Sequence, residues 1–365
     1  MFELTNAQRK CFALPLVLDT WEKVEVKPSP CDLFYTYAYL DGHRIVKVIQ
    51  VYDEPGQELY SEFSVDQMLS EDKTMILPKT EKGKNQKFIS ANLLKKTPVG
   101  MSLCYSRRSV SVNNNNSNQS YYNSVYDDVK IESFADFEKW LHNWCKTTDE
   151  KELTEINEFA ARTKKHQKFK EGDFFRFRIN RSLYGYGRII LNFDKMRKDG
   201  IAFWDIFMGK PLCVAVYHVA TEDKNLTPEC LKEKKMLPSQ MIMDNIFFYG
   251  ECEIIGNMPI AEIDKDYPIH YGQSIDRRCQ DYVHYQCGKV FVTAENETAL
   301  YDFKNHGVGW NLNVKLPILL ECIKQNSNDP YWDMIQPWRA NCDLRNPKFQ
   351  EELKQIKKQM GIEGT

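Results

Sequence analysis

The clearest regularity along the chain is an alternation of apolar and polar residues with a period of two, strongest over Glu171–Leu191, EGDFFRFRINRSLYGYGRIIL. Phe175, Phe177 and Ile179 alternate there with Phe174, Arg176 and Arg178. Beyond the turn-prone Asn180-Arg181-Ser182, Tyr184, Tyr186, Arg188 and Ile190 alternate with Gly185, Gly187, Ile189 and Leu191. That period is the signature of strands, so the stretch predicts a β-hairpin with one buried face. Gly185 and Gly187 share a face. Two glycines inside a strand point to close backbone approach or sharp curvature, as in a small barrel.

The same reading predicts a hairpin of Phe34–Tyr39 and Arg44–Val51 around Asp41-Gly42, a tight-turn dipeptide. Further strands are expected at Leu59–Phe63, Thr74–Leu77, Lys87–Leu94, Gly100–Tyr105, Ile201–Phe207, Leu212–Val219, Met243–Tyr249, Cys252–Ile255 and Lys289–Thr293. The asparagine tract Asn113–Asn118 predicts a polar surface loop, with Ser109–Asn123 mobile around it. Residues 1–30 read as an irregular lead-in anchored by Trp21.

Helical periodicity enters in three places. Ser133, with Asp136 three residues on, forms an approximate capping box before the stripe Phe134, Phe137, Trp140, Leu141 and Trp144. Thr148 or Asp149 caps a second helix carrying Leu153, Ile156 and Phe159. Near the C-terminus, Pro317 suits the first turn of a short apolar helix, and Asn346-Pro347 opens another with Phe349, Leu353, Ile356 and Met360 inward. The second of these helices runs into the basic Lys164–Lys168 and places a junction there. The fold class expected is α+β, mainly β, in two domains: an α+β domain over 1–150 ending in helices, a helical linker over 151–168, and a mainly β domain over 169–365. The last is read as a strongly curved antiparallel sheet or small barrel with a C-terminal helix.

Composition narrows the chemistry. The 365 residues carry a net charge of −2, with 13% aromatic residues, so nothing global advertises nucleic acid. The eleven cysteines are scattered, odd in number and without a C-x-x-C, which fits a reduced cytoplasmic protein better than a disulfide framework. Cys11–Leu18 is a short apolar run, but Pro15, Asp19 and the lack of a small-residue cleavage site argue against a signal peptide. No stretch approaches the roughly 20 apolar residues of a membrane span. Nucleophile-elbow, phosphate-loop, zinc-helix and dinucleotide motifs are all missing, and Tyr184-Gly185-Tyr186-Gly187 opens no helix. His218, His270, His284 and His306 are not spaced for one helix face or one short hairpin, so no metal and no cofactor is expected. The residues singled out for partner binding are Arg176, Arg178, Tyr184, Tyr186 and Arg188, because arginine and tyrosine are favoured interface anchors. With no global basic excess, protein recognition outranks nucleic acid.

Residues 169–365 resemble the immunity protein 26 family of bacterial polymorphic-toxin systems. The resemblance rests on Lys170-Glu171-Gly172-Asp173-Phe174-Phe175 and Tyr184-Gly185-Tyr186-Gly187-Arg188. Pro268-Ile269-His270, Tyr285–Gly288, Asn305-His306-Gly307-Val308-Gly309 and Asp343-Leu344-Arg345-Asn346-Pro347 add to it. It implies a mainly β domain that neutralises a cognate toxin by binding it, and brings no catalytic residues. Two other functions are kept open. One is a metal-dependent phosphoester hydrolase using some of the four histidines. The other is a nucleic-acid-binding small barrel using Arg176, Arg178 and Tyr186.

Overall fold

Alternation along the first strands sends side chains to two faces, and both are covered. In the computed structural model, which describes residues 2–29, 34–52, 54–106, 108–198, 210–273, 282–295, 308–334 and 343–362, the chain divides into Met1–Lys165 and His166–Thr365. The N-terminal unit begins with α1 (Asn6–Lys10), followed by β1 (Glu22–Glu25), β2 (Tyr35–Asp41), β3 (Arg44–Tyr52), β4 (Leu59–Leu69), β5 (Met75–Leu77), β6 (Gln86–Lys87) and α2 (Ser90–Leu93). Then come β7 (Val99–Ser106), β8 (Ser109–Asn114), β9 (Gln119–Asn123), α3 (Ser124–Asp127), α4 (Phe134–Thr147) and α5 (Glu150–Ala160). The strands form one antiparallel sheet in the order β1-β2-β3-β4-β7-β8-β9, with β5 and β6 added beside β4. Ile49, Val51, Tyr60, Leu103 and Tyr105 join a core with α4 and α5, where Phe137 stacks on Tyr105 at 4.7 Å. The intervening Ala38, Val48 and Phe63 point the other way, into a second core closed by Ile76 and Leu93.

Three charges lie inside this unit. Glu62 and Lys47 are fully buried and Arg9 is 3% exposed. The Glu62 carboxylate accepts from Arg9 Nε at 2.8 Å, from Tyr60 Oη at 2.7 Å and from Lys47 Nζ. Arg9 continues to Glu3 at 2.8 Å, and Lys47 also donates to the Pro15 carbonyl. Every member is paired, which is the condition under which buried charge is tolerated. Because the partners run from Glu3 to Glu62, the network pins the lead-in onto β3 and β4.

Several expectations change here. The lead-in contains a capped helix and an edge strand. Ser109–Asn123 is the hairpin β8–β9, whose Val110, Val112, Tyr121 and Tyr122 are core residues. Asn114, within the polar tract, is fully buried and donates to the carbonyls of Phe159 at 2.7 Å and Arg162 at 3.1 Å, closing the end of α5. Lys87–Leu94 is strand only at its first residue and then turns into α2. The segment read as a linker starts as α5, whose Ile156 and Phe159 belong to the N-terminal core. Asp149 caps it with a full capping box through Glu152.

The C-terminal unit contains β10 (Asp173–Arg178), β11 (Tyr184–Asn192), α6 (Phe193–Lys198), β12 (Pro211–Thr221), α7 (Pro228–Leu231), β13 (Gln240–Met243), α8 (Asn245–Phe248) and β14 (Glu253–Asn257). After them come β15 (Ile269–Gln273), β16 (Tyr282–Cys287), β17 (Val290–Glu295), α9 (Leu316–Gln325), α10 (Asp329–Trp332) and α11 (Gln350–Gln359). Two antiparallel sheets result, β13-β12-β11-β10-β14 and β15-β16-β17. Register shifts at Gly185/Gly187 and Ile189/Leu191 bulge β11 against β12 and bend it. Among the described residues the strands do not close into a barrel: β13 and β14 remain the edges of an open sheet. Met243–Tyr249, read as a strand, ends β13 and turns into α8. Ile201–Phe207, Cys279 and His306 lie outside the described residues.

The C-terminal helix covers the smaller sheet, with Ile356 and Met360 against Ile269, Tyr271, Val283 and Tyr285. Ahead of it, Arg345 reaches three separate parts of the chain. Its Nε and Nη2 clasp Asp343 at 3.0 and 2.6 Å, Nη1 meets Asp266 at 2.7 Å, and Nη1 and Nη2 reach Ser239 Oγ at 3.0 Å and its carbonyl at 2.6 Å. A guanidinium offers five N–H donors in a rigid fork, and all five find acceptors. Asn346 caps the turn that follows and donates to the Trp332 carbonyl at 3.2 Å.

Candidate interaction surface

The hairpin β10–β11 is built by its register. Phe175 pairs with Gly187 and Phe177 with Gly185, while Arg176 faces Tyr186 and Arg178 faces Tyr184. The Asn180 side chain accepts from the backbone N–H groups of Ser182 and Leu183 at 3.1 and 2.9 Å, holding the turn. On one face each phenylalanine ring lies across the glycine opposite. A Cβ at Gly185 would meet Phe177 Cζ at 2.4 Å, and one at Gly187 would meet Phe175 Cζ at 2.3 Å and the Ala215 carbonyl oxygen at 2.6 Å. The close approach read from the two glycines is thus made by rings and by β12.

The two glycines differ in a testable way. At Gly185 only the ends of Phe177 and Ile179 must give, whereas at Gly187 the obstacle includes backbone. Gly187→Ala is expected to cost about 2–3 kcal/mol as overpacking, and Gly185→Ala less than about 1 kcal/mol. Urea midpoints and hydrogen exchange over β10–β12 read the difference; equal effects at both positions would refute this account.

The other face carries the cations. The Tyr184 ring has the Arg178 guanidinium at 5.0 Å, Arg176 at 5.5 Å and Lys224 Nζ at 5.5 Å. Contacts of this kind hold charge against an aromatic quadrupole. Arg176 also donates to the Lys224 carbonyl and pairs with Glu253, and Arg178 donates to the Arg181 carbonyl at 2.6 Å. Tyr186 donates to the Asp223 carbonyl at 2.6 Å, and burial pushes its phenol up from its ordinary value. Arg188 lies 4.6 Å over the Phe174 ring. It pairs with Asp264 at 2.6 Å and donates to the carbonyls of Met258 and Pro259 at 2.9 and 2.7 Å.

All five residues singled out from the sequence therefore stand on one hairpin, but at different depths. Tyr186 is 0% and Arg188 3% exposed, and β11 is buried on both faces. The expected single buried face was wrong because Arg188 spends its charge inward on the 258–264 segment. Tyr184 is 7% exposed beneath the arginines, whereas Arg176, Arg178 and Lys224 are half-buried. The surface read from this hairpin is thus the arginine–lysine edge over Tyr184; Tyr186 and Arg188 hold the platform. Lys224 and Asp264 had no sequence signal, since each is one charge in a mixed-charge run, Glu222-Asp223-Lys224 and Glu262–Asp266, brought to the hairpin by the tertiary fold.

The histidines are built into separate contacts. His218 Nε2 lies 2.8 Å from Asn328 Oδ1, His270 Nε2 lies 2.9 Å from Met241 Sδ, and His284 stacks on Phe291 at 5.6 Å. Burial holds the His218 and His284 imidazoles below their ordinary pKa. Among the described residues no group of His, Cys, Asp or Glu is spaced to hold a metal ion, and the eight described cysteines are unbridged. No described helix is long and apolar enough to cross a membrane.

The strands from β10 to β15, with the ring-over-glycine pairs and buried Arg188, lie in the stretch that a family comparison picks out. Residues 170–281 match the family model described as Immunity protein 26. The matched segment starts at Lys170 and takes in the larger sheet of the C-terminal unit. The resemblance read over 169–365 is wider than this match. Of its outlying motifs, Asp343–Pro347 is the clamp on Ser239 and Asp266, two residues inside the matched segment. No curated protein and no solved structure matches the chain.

Proposed function

We propose that the chain is a bacterial, cytoplasmic immunity protein that neutralises a cognate toxin by occupying it. The observation that carries this reading is the immunity protein 26 match over residues 170–281. Inhibition of this kind needs a complementary surface and no reaction, so the protein acts without catalysis, metal or cofactor. The half-buried Arg176, Arg178 and Lys224 around Tyr184 supply a surface of the right kind: cations pre-positioned on a ring lose little freedom on docking, and arginine is enriched at interface hot spots. The toxin surface that meets them would be acidic.

The test is co-expression with the toxin encoded beside this gene. Restored growth and co-purification are expected, and toxicity that persists would sink the proposal. The double variant R178E/K224E, which leaves the Tyr186 and Arg188 ties intact, is expected to weaken binding at least tenfold, about 1.4 kcal/mol. An unchanged affinity would move the docking surface elsewhere on the protein.

A further inference from the structure

Away from the arginine edge, the C-terminal unit holds an open cleft of about 410 Å³. Its floor is apolar, made by Ile190 and Leu191 of β11, Ile260, and Val290 of β17. Three lysines, Lys265, Lys289 and Lys357, come to it from a loop, a hairpin turn and α11. The positions are set by packing. Cys287 pairs with Val290, leaving Gly288 and Lys289 as a two-residue turn with Gly288 at φ +53°. The Tyr267 ring lies so close over that turn that a Cβ at Gly288 would meet it at 2.4 Å. The turn that carries Lys289 is therefore held against the cleft wall.

The charge balance in the cleft is one-sided. Among the described lining residues Glu171 is the one carboxylate beside three ammonium groups, and its oxygen already accepts the Asn192 N–H at 3.0 Å. Lys265 also meets Glu262, whereas Lys289 makes no ion pair among the described residues. Burial pushes the Tyr267 phenol up to about 12 and raises the Cys287 thiol, so neither adds negative charge at neutral pH. A cleft with low-dielectric walls and charge of one sign concentrates counter-ions. Its volume lies within the roughly 300–1,000 Å³ of small-molecule sites, which pair apolar walls with a few polar groups.

We infer that this cleft binds a small amphipathic anion, an alkyl or aryl body on the Ile190–Val290 floor with one carboxylate or phosphate among Lys265, Lys289 and Lys357. This does not depend on the toxin reading: the cleft shares no residue with the arginine edge.

Calorimetric titration of the full chain with octanoate, octyl phosphate, octanol and octylammonium tests it. Saturable binding of octanoate or octyl phosphate is expected, the tighter of the two naming the head group, with octanol and octylammonium at least tenfold weaker. The double variant K289E/K357E, both side chains reaching solvent, should lose the anion preference while keeping its unfolding midpoint. If that variant fails to fold, Lys289→Gln alone is expected to weaken the anion severalfold. No saturable binding, equal binding of octanol, or unchanged affinity in folded variants would overturn the inference.

Discussion

Replacing Glu62 by glutamine is expected to cost the N-terminal unit about 3–5 kcal/mol, enough to unfold a marginal domain. The shape hardly changes, so packing cannot account for the loss. What goes is the one carboxylate that faces Lys47, Arg9 and the Tyr60 hydroxyl together. Lys47 and Glu62 are both 0% exposed, so the remaining cations cannot turn to water. A lower urea midpoint, with faster hydrogen exchange in β3 and β4, is the measurement. The all-apolar combination R9M/K47L/E62L separates charge from volume. It should recover most of the lost stability, as buried ion clusters replaced by hydrophobic residues generally do. If E62Q shifts the midpoint by less than about 1 kcal/mol, the network is not under the tension of burial described here.

The second large effect is expected at Arg345. Arg345→Met removes the partner of Asp343, which is 0% exposed, and unties Asp266 and Ser239. A cost of about 3–5 kcal/mol to the C-terminal unit follows from leaving a buried carboxylate without its cation. Arg345→Lys is the informative companion. It keeps the charge but offers three donors from a point where the fork offered five, so an intermediate loss is expected. If lysine is as good as arginine, the clamp is a matter of charge alone, and the geometry given above is incidental.

These two networks also show where sequence reading stops. The hairpins β2–β3 and β10–β11 were legible because alternation and turn residues agree locally, and α4 and α11 because a cap precedes a stripe. Lys47 and Glu62 were not, since a charged residue between apolar neighbours in a strand reads as the solvent face; only a partner from another strand makes it an interior residue. The β8–β9 hairpin was hidden by its asparagines, whose polarity suggested a loose loop although Asn114 is committed to the end of α5. Among the site residues, the hairpin and its glycine face were readable, but depth was not. Arg188 and Arg178 occupy equivalent places in the pattern, and the distant 258–264 segment, through Asp264 and two carbonyls, draws one of them inward. The lysine cleft left no local trace, because its three cations are separated by tens of residues and meet only once β16–β17 and α11 are in place.

The clamp has a consequence for the order in which the protein is made. The tie that closes the end of α5 in the N-terminal unit forms once residue 162 has been added, where Asn114 meets the Arg162 carbonyl. The clamp on Ser239 and Asp266 in the other unit, by contrast, cannot form until Asp343 and Arg345 have been added. On a translating ribosome, where domains fold as units from the N-terminus, the first unit can mature while the second is still held open. A nascent chain arrested before residue 343 would carry a finished first half and an unlatched second one.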